Sequence, residues 1–366
     1  MYSIEIKFKM IIAILFFIGI LYGSHLFVIW TNQTIINSEI TPFLYSLPVI
    51  ILISFMFLIF ISMKISDYLY SIIYLIFGLY LGYLLYIFLV SIALKILLIF
   101  YIPPLYISLL SLYFLPLIIC IYGIINALVT KIIKIVLKYP GFKGKYTILH
   151  LSDIHLGAIH QKNSVKRIVK EIQNLEESPD IVVITGDMAD GSLKVKSDWL
   201  SPFDLLDMPI LFITGNHEEL NPKNDMLDEV RMTNIKYIGK HESFIHKGVN
   251  FIGADFDYDL NEVLSKIKPE ENMPNVFLYH VPKISPEELK EYNIFLFLAG
   301  HTHGGQIFPL NILAYLTNKC FKGLYSDQEK MHHVFVSEGV NNAVVPMRVG
   351  SHRVFPLITI EGELSD

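Results

Sequence analysis

Two histidines set two positions apart, His301 and His303, lie in a glycine-rich segment that is suited to binding a metal ion. They follow the apolar run 294–298, which is typical of a buried strand. Glycines at the end of a strand let the backbone turn sharply and come close to a ligand. Two imidazoles held on such a turn can point at one ion. Taken alone, the segment also fits a solvated loop, so its interpretation depends on the rest of the chain.

Four apolar runs upstream end in the same kind of residue. They cover residues 146–151, 180–185, 209–214 and 276–279. All-apolar strands indicate a sheet that is covered on both faces, as in an α/β fold. Because the carboxyl ends of such strands converge on a crevice where ligands bind, we expect the residues that follow them to share one site. The polar residues after the four runs are Asp153, His155, Asp187, Asn216, His217, Glu218 and His280.

The ligand set predicts two metal ions rather than one. Carboxylate and imidazole ligands without thiolates suit Mn, Fe or Zn. Two ions about 3.5–4 Å apart form a clamp for in-line phosphoryl displacement, in which they acidify a bound water to hydroxide and neutralise the phosphoryl oxygens. Two ions that share a bridging carboxylate can use all seven candidate ligands, which are Asp153, His155, Asp187, Asn216, His280, His301 and His303.

The composition predicts a membrane region followed by an acidic soluble domain. The 366 residues are 53% hydrophobic and 17% charged, which is too apolar for a single soluble domain. Only four of the 29 basic and three of the 34 acidic residues precede residue 131. An acidic soluble part disfavours nucleic acid as a partner, because non-specific binding of DNA needs clustered lysine and arginine. Cys120 and Cys320 are too few for a disulfide framework and fit a reduced, cytosolic setting.

Long apolar segments predict a transmembrane helical region over residues 1–130. Each is long enough to cross a hydrocarbon core of about 30 Å. The first is followed by further apolar segments, so we interpret it as an anchor and not as a removed signal peptide. The four predicted spans cover residues 10–30, 43–63, 68–94 and 104–129.

Lysines predict the orientation of these spans. Lys7 and Lys9 precede the first span, Lys64 lies between the second and third, and a cluster of lysines follows the fourth. Because lysines favour the cytoplasmic side, we expect a multi-pass protein of the cell membrane with both ends in the cytoplasm. The soluble domain, residues 146–366, would then face the cytoplasm.

Residues 131–145 are predicted to be a basic juxtamembrane linker. Lys131, Lys134 and Lys138 would share one face of a helix that ends at Pro140 and Gly141. These lysines would either contact anionic lipid headgroups or only reflect the topology bias.

The remaining pattern of the soluble domain alternates helix and strand. Residues 163–175 have the apolar spacing of a helix, and 249–253, 333–336 and 355–360 are predicted strands. The segment 191–208, with Trp199 and Phe203, is predicted to form a rim or lid.

The ordered motifs Asp-x-His, Gly-Asp, Gly-Asn-His-Glu, His and Gly-His-Thr-His resemble those of the calcineurin-like metallophosphoesterases. The resemblance covers the soluble domain and implies a four-layer β-sandwich flanked by helices. The segment Gly-His-Thr-His-Gly-Gly-Gln is similar to that of a membrane-associated branch, as are Gly323-Leu324-Tyr325, Val336-Ser337 and Pro346-Met347-Arg348. The preceding spans resemble those of transmembrane proteins with a metallophosphoesterase domain.

This resemblance implies two ion sites that share Asp187. It also implies that His217 stabilises the transferring phosphoryl group or protonates the leaving oxygen, and Glu218 would orient that imidazole. Asp153, His155, Asp187 and His303 would hold the first ion, and Asn216, His280 and His301 would complete the second.

The chain departs from the branch at Glu338, where members often carry arginine, so a phosphate-binding role there is in doubt. Arg348 and Arg353 remain candidates for that role, and an exposed surface pair is the other interpretation.

The sequence thus predicts a membrane-anchored dinuclear phosphoester hydrolase that uses a metal-bound hydroxide. Tethering to the bilayer and analogy favour a lipid-linked or nucleotide-linked phosphodiester or pyrophosphate as substrate, with membrane lipids as partners. The alternatives are a non-catalytic membrane receptor or scaffold of the same fold, and a nuclease.

Overall fold

The computed structural model describes residues 2–38, 42–220 and 223–362 of the chain. They form two compact units, Met1–Ile124 and Ile125–Asp366. The last four residues of the predicted soluble domain, 363–366, lie outside the described residues.

The first unit is built from long apolar helices. All four are long and apolar enough to cross a membrane, which confirms the predicted number of apolar helices. Ser66 caps the third helix by accepting a hydrogen bond from the Leu69 N–H at 3.3 Å. That helix ends at Tyr101, whose extended backbone leads into Pro103 and Pro104. The helices are α1 (Tyr2–Ile36), α2 (Pro42–Ile65), α3 (Asp67–Phe100) and α4 (Leu105–Leu128).

The second unit contains two six-stranded sheets and six further helices among its described residues. The strands are β1 (Thr130–Tyr139), β2 (Lys145–Leu151), β3 (Ile181–Thr185), β4 (Ile210–Ile213), β5 (Ile235–Tyr237), β6 (Lys240–His246), β7 (Val249–Ala254), β8 (Asn275–Leu278), β9 (Leu296–Ala299), β10 (Gly323–Ser326), β11 (His333–Val336) and β12 (Arg353–Gly362). The helices are α5 (Lys162–Gln173), α6 (Ser197–Leu200), α7 (Lys223–Arg231), α8 (Leu260–Lys266), α9 (Pro286–Leu289) and α10 (Leu310–Thr317).

The first sheet has the order β1-β12-β2-β3-β4-β5, and the second has the order β10-β11-β9-β8-β7-β6. In the first, β2, β3, β4 and β5 run parallel, whereas β12 is antiparallel to β2. In the second, β7, β8, β9 and β11 run parallel between the antiparallel edge strands β6 and β10. The carboxyl ends of the central strands of each sheet therefore lie at one edge of that sheet.

Side chains on the two faces of each sheet enter different cores. In β2, Ile148 packs between the sheets, whereas its neighbour Leu149 faces the helical layer. The central core joins such residues to Phe251 and Leu298 of the second sheet. A third core lies between the second sheet and α8. This order of layers confirms the predicted four-layer α/β sandwich.

The helix expected over Lys131–Lys138 is wrong, because this stretch is the edge strand β1, paired in parallel with β12. Ile133, Ile135 and Leu137 are less exposed than the residues between them, which is the period of a strand. Lys134 and Lys138 do not share a helical face. They contact Glu176 and Glu361 of the same unit, each at 2.8 Å.

The predicted rim or lid at residues 191–208 is also wrong. Trp199 and Phe203 are buried in the core beneath α5, where Val165 and Ile168 contribute to the same cluster. A segment that supplies core side chains cannot open and close as a lid without exposing that core to water.

Candidate metal centre

The strand ends bring the seven candidate ligands into one cluster. The first sheet supplies Asp153 and His155 after β2, Asp187 after β3 and Asn216 after β4. The second sheet supplies His280 after β8, and His301 and His303 after β9. The ligand atoms therefore come from both sheets and meet at their carboxyl edges.

Asp153, His155 and His303 form the first group that can hold an ion, with ligand atoms within 4.8 Å of one another. Nε2 of His155 lies 2.9 Å from Nε2 of His303. The same His303 atom lies 3.3 Å from Oδ1 of Asp153. All three side chains are buried.

Asp187, His280 and His301 form the second group. Nε2 of His280 lies 3.1 Å from Oδ2 of Asp187. The amide oxygen of Asn216 lies 3.1 Å from that His280 nitrogen and 2.8 Å from Nδ1 of His301. His280 has its Nδ1 within 2.8 Å of the Thr185 carbonyl, so Nδ1 carries the proton and Nε2 faces the cluster.

Asp187 lies between the two groups. Its Oδ2 atom is 3.9 Å from Nε2 of His155 and 4.0 Å from Nε2 of His217, as well as 3.1 Å from His280. A carboxylate that faces both groups has the position that a bridging ligand needs.

The backbone of the cluster is strained. Asp153, His155, Asp187, His301 and His303 have φ angles of 56°, 48°, 50°, 69° and 52°, respectively. The left-handed region costs a residue with a Cβ about 1–2 kcal/mol. Five such residues at one site indicate that the surrounding fold holds these side chains where the local backbone would not place them.

The cluster has a buried floor and an open mouth. Asp153, His155, Asp187 and His280 are fully or almost fully buried. Asn216, His217 and His301 are partly exposed, so a solute can reach them. A substrate would therefore approach from the side of these three residues.

Burial and charge set the protonation of the histidines. Burial lowers the pKa of His155 to about 3 and that of His301 to about 4, and it holds the pKa of His303 well below its ordinary value. Burial also acts to lower the pKa of His280, but the adjacent Asp187 carboxylate outweighs it and the pKa rises to about 9. The neutral imidazoles of His155, His301 and His303 keep a ring lone pair with which to bind a metal ion, whereas a cation beside Asp187 would displace the second proton of His280.

The donor set fits divalent metal ions. Two buried imidazole nitrogens, those of His155 and His303, face each other beside the Asp153 carboxylate. The Nδ1 atoms of both rings have no hydrogen-bond partner in the part of the chain that the structure describes. Converging lone pairs and carboxylates form a site that a cation would stabilise, and nitrogen and oxygen donors suit Mn, Fe or Zn.

His217 points its Nε2 toward Asp187 while its Nδ1 lies 3.0 Å from the Asp190 backbone carbonyl. The expected pairing of Glu218 with this imidazole is replaced by a different one. Glu218 is buried and accepts hydrogen bonds from the backbone N–H groups of Asp187, Ala189 and Gly215, at 3.0, 2.8 and 2.6 Å. Glu218 therefore fixes the loops that carry the ligands, and a backbone carbonyl orients His217.

Arg348 and Arg353 are not an exposed surface pair, because both are almost completely buried. The Arg348 guanidinium donates to five backbone carbonyls, among them those of His303 and Glu338. Arg353 contacts the Glu171 carboxylate. With its donors committed to the protein, Arg348 has a positioning role at the loop that carries His303 rather than a phosphate-binding one.

Glu338, where arginine was expected from the resemblance, lies beside the histidine loop. Its carboxylate is 3.4 Å from Nζ of Lys322 and accepts from the His352 N–H at 3.1 Å. A Cβ on Gly304 would come within 2.7 Å of the same carboxylate. The acidic side chain therefore fills the space next to Gly304.

Gln306, the last residue of the Gly-His-Thr-His-Gly-Gly-Gln segment, is a further positioning residue to which the sequence analysis assigned no role. Its amide accepts from the Ala343 N–H at 2.9 Å and donates to the Ala343 and Val345 carbonyls. The local signal was its place directly after the Gly-His-Thr-His-Gly-Gly motif, but its partners lie far along the chain.

Part of the second unit is similar to known proteins. Residues 146–305 match the family of calcineurin-like phosphoesterases. A transmembrane protein with metallophosphoesterase domain from Bos taurus is 32% identical over 259 residues, or 63% of this chain and 57% of the relative. An uncharacterised metallophosphoesterase from Helicobacter pylori is 30% identical over 213 residues, or 55% of this chain and 56% of the relative. The chain thus spans little more than half the length of these relatives.

A third relative, an uncharacterised metallophosphoesterase from Campylobacter jejuni, is 32% identical over 250 residues, or 65% of each chain. Residues 146–305 of the second unit thus match the calcineurin-like phosphoesterases, and the chain is similar to a transmembrane protein with metallophosphoesterase domain.

Proposed function

We propose that this protein is a membrane-anchored phosphoester hydrolase with two divalent metal ions, Mn, Fe or Zn. The observation that carries the proposal is the pair of ligand groups that meet at Asp187. When bound, the two ions supply an acidified water as nucleophile and neutralise the phosphoryl oxygens. The same seven side chains are difficult to explain as a scaffold, because strained and buried ligands reduce stability unless they bind something.

Each ligand has a task in this proposal. Asp153, His155, Asp187 and His303 would hold the first ion, and Asn216, His280 and His301 would complete the second site, with Asp187 placed between the two groups. The hydrogen bond between Nδ1 of His280 and the Thr185 carbonyl keeps the ring in the tautomer that presents Nε2.

His217 contacts the substrate in the proposed reaction. Its Nδ1 donates to the Asp190 carbonyl, and its Nε2 lies 4.0 Å from Asp187 at the open side of the cluster. A partly exposed imidazole in this position stabilises the transferring phosphoryl group or donates a proton to the leaving oxygen. Glu218 supports this geometry through the backbone and does not itself contact the ring.

The four apolar helices and the similarity to transmembrane relatives support a membrane protein. We propose that it is multi-pass and that its catalytic domain faces the cytoplasm, because lysines cluster on that side of the predicted spans. The substrate we favour is a lipid-linked or nucleotide-linked phosphodiester or pyrophosphate. Tethering to the bilayer, through a chain that enters β1 two residues after α4 ends, supports an amphiphilic substrate.

The test uses the full-length chain, purified in detergent and reconstituted with Mn²⁺, Fe²⁺ or Zn²⁺. We expect about two ions per chain by elemental analysis and turnover of bis-p-nitrophenyl phosphate. Asp187→Ala should lower the metal content, whereas His217→Ala should keep the metal and lose about 100-fold or more in kcat. His246→Ala is the matched control, since His246 hydrogen-bonds Tyr146 at the opposite end of β2.

A chain that takes up no metal and has no turnover with any of the three ions would refute the hydrolase and favour a receptor or scaffold. Preferential cleavage of single-stranded DNA would favour a nuclease. Turnover that is unchanged in His217→Ala would refute the assigned role of that histidine.

A further inference from the structure

Helix α10, which follows the histidine loop, is apolar and unburied. Its sequence, Leu-Asn-Ile-Leu-Ala-Tyr-Leu-Thr, has no charged residue, and none of its eight residues is buried. Large apolar side chains between 46% and 72% exposed project from Phe308, Leu310, Ile312, Leu313, Tyr315 and Leu316. A helix that is apolar on all sides and unburied is unstable in water and indicates a missing apolar neighbour.

The helix is firmly fixed to the loop that carries the candidate ligands. Gly305, two residues after His303, has a φ of +73°, and a Cβ on it would come within 2.1 Å of Cα of Asn311. The backbone of α10 therefore packs directly on the histidine loop. Whatever covers the outer side of α10 lies next to the metal centre.

The same helix is close to the end of the last apolar span. The Phe308 N–H donates to the Val349 carbonyl at 2.8 Å. Arg348 and Ser351, close to Val349 in sequence, accept hydrogen bonds at their carbonyls from the Asn126 side chain, at 3.0 and 2.9 Å. Asn126 is in the last turn of α4, the helix long and apolar enough to form the fourth span. Segment 348–351 thus connects α10 to the point where the chain would leave a bilayer.

We propose that α10 and Phe308 insert into the interfacial layer of the bilayer that holds the spans. The occupant is a lipid surface because the apolar helix is joined to the exit of a candidate span through Asn126 and segment 348–351. Ile125, Leu128 and Val129 around that exit are also exposed and apolar, so the apolar surface continues toward it. Since α10 carries no charge, contact with lipid depends on apolar insertion and not on anionic headgroups.

This placement gives the proposed hydrolase a route for an amphiphilic substrate, and that consequence rests on the proposed function. A lipid headgroup at the level of α10 is next to the loop of His301 and His303. Its acyl chains stay in the bilayer while the phosphoester reaches the cluster.

The experiment measures lipid contact directly and does not depend on catalysis. Leu316→Cys and, separately, Leu313→Cys are labelled with bimane in the full-length chain and reconstituted into phosphatidylcholine vesicles with a doxyl group at acyl carbon 5. Met232→Cys is the matched control, because Met232 is 76% exposed and precedes β5, at the edge of the first sheet opposite β1. The wild-type chain controls for labelling of Cys120 and Cys320, which are buried.

We expect bimane at positions 313 and 316 to be quenched by the doxyl lipid and to be at least about threefold less sensitive to iodide than bimane at 232. Because the helix is uncharged, we expect the doxyl lipid to quench bimane at 313 and 316 equally in 0.05 M and 0.5 M salt. Iodide quenching at 313 and 316 that equals the value at 232 would overturn the proposal. Protection from iodide without quenching by the doxyl lipid would also overturn it, in favour of a second copy or another protein on α10.

Discussion

Replacing Arg348 by methionine removes a buried cation that holds five backbone carbonyls near the metal centre. The three shortest bonds go to the carbonyls of Asn341, Glu338 and His352, at 2.6, 2.7 and 2.9 Å. Methionine has a similar length but no donor, so the buried carbonyl of Asn341 and the half-buried carbonyls of Glu338 and His352 lose this partner. At a cost of about 1 kcal/mol or more for each unsatisfied group, the free energy of unfolding should fall by at least about 3 kcal/mol.

The assay is thermal unfolding of the detergent-solubilised chain, followed by Trp199 emission in a Trp30→Phe background. Trp199 is buried in the second unit and is the only tryptophan there, so its signal reports that unit. A loss of about 3 kcal/mol corresponds to a Tm that is about 6–12 °C lower for a unit of this size. Arg348→Lys should restore part of the loss, since the ammonium has three donors.

Arg353→Met is the matched control, because Arg353 is equally buried but its one carboxylate partner, Glu171, is partly exposed. Water can solvate Glu171 in that variant, so we expect a loss of only about 1 kcal/mol. Equal decreases in Tm for Arg348→Met and Arg353→Met would refute the account based on backbone carbonyls and would leave only loss of packed volume.

Three further substitutions test separate features. Glu218→Gln places an amide N–H against backbone N–H donors, so we expect the free energy of unfolding to fall by about 1–3 kcal/mol and metal to be retained less well in dialysis. The control Glu219→Gln, at an exposed residue, should change neither quantity. Burial lowers the pKa of His150 to about 3, so this ring is neutral in the fold and its contribution to stability, complete above pH 6.5, decreases as the pH falls toward 3. When the pH falls from 6.5 to 5.5, the free energy of unfolding of His150→Gln should therefore decrease by about 1 kcal/mol less than that of the wild-type chain, as measured by Tm. An identical pH dependence of Tm in the two chains would contradict this reasoning. Gly305→Ala combines a left-handed φ with a 2.1 Å approach to backbone and should cost about 2–4 kcal/mol, whereas Gly144→Ala, with φ +89° and open space around it, should cost about 1 kcal/mol.

The strands that carry the ligands could be predicted because each is a short apolar run followed by a polar residue. The predicted strand 146–151 corresponds to β2, and 209–214 to β4. Edge strands are harder to predict, because one side of an edge strand is solvated and its sequence therefore mixes polar and apolar residues. In β1, the lysines at 131, 134 and 138 have the spacing of a helical face, and it is the pairing with β12 that makes this stretch a strand.

The candidate ligands could be named from the sequence because each follows a strand directly. The residues that position them could not, because their partners are distant along the chain. Nothing local to Arg348 indicates that it is buried, and its acceptors include the carbonyl of His303, which lies 45 positions away. Glu218 was misjudged for the same reason. Its neighbour in sequence is His217, but its partners in space include the backbone N–H groups of Asp187 and Ala189 in another loop.

The split of the ligands between two sheets has a consequence for what a bound ion would do. Asp153 and His155 come from the first sheet and His303 from the second, and hydrophobic core fills the space between the sheets. The group of Asp153, His155 and His303 and the group of Asp187, His280 and His301 each take side chains from both sheets, so complete ligation of an ion in either group requires the closed sandwich. A bound ion would therefore join the two sheets, and we expect the Tm of the second unit to rise when a binding ion is added.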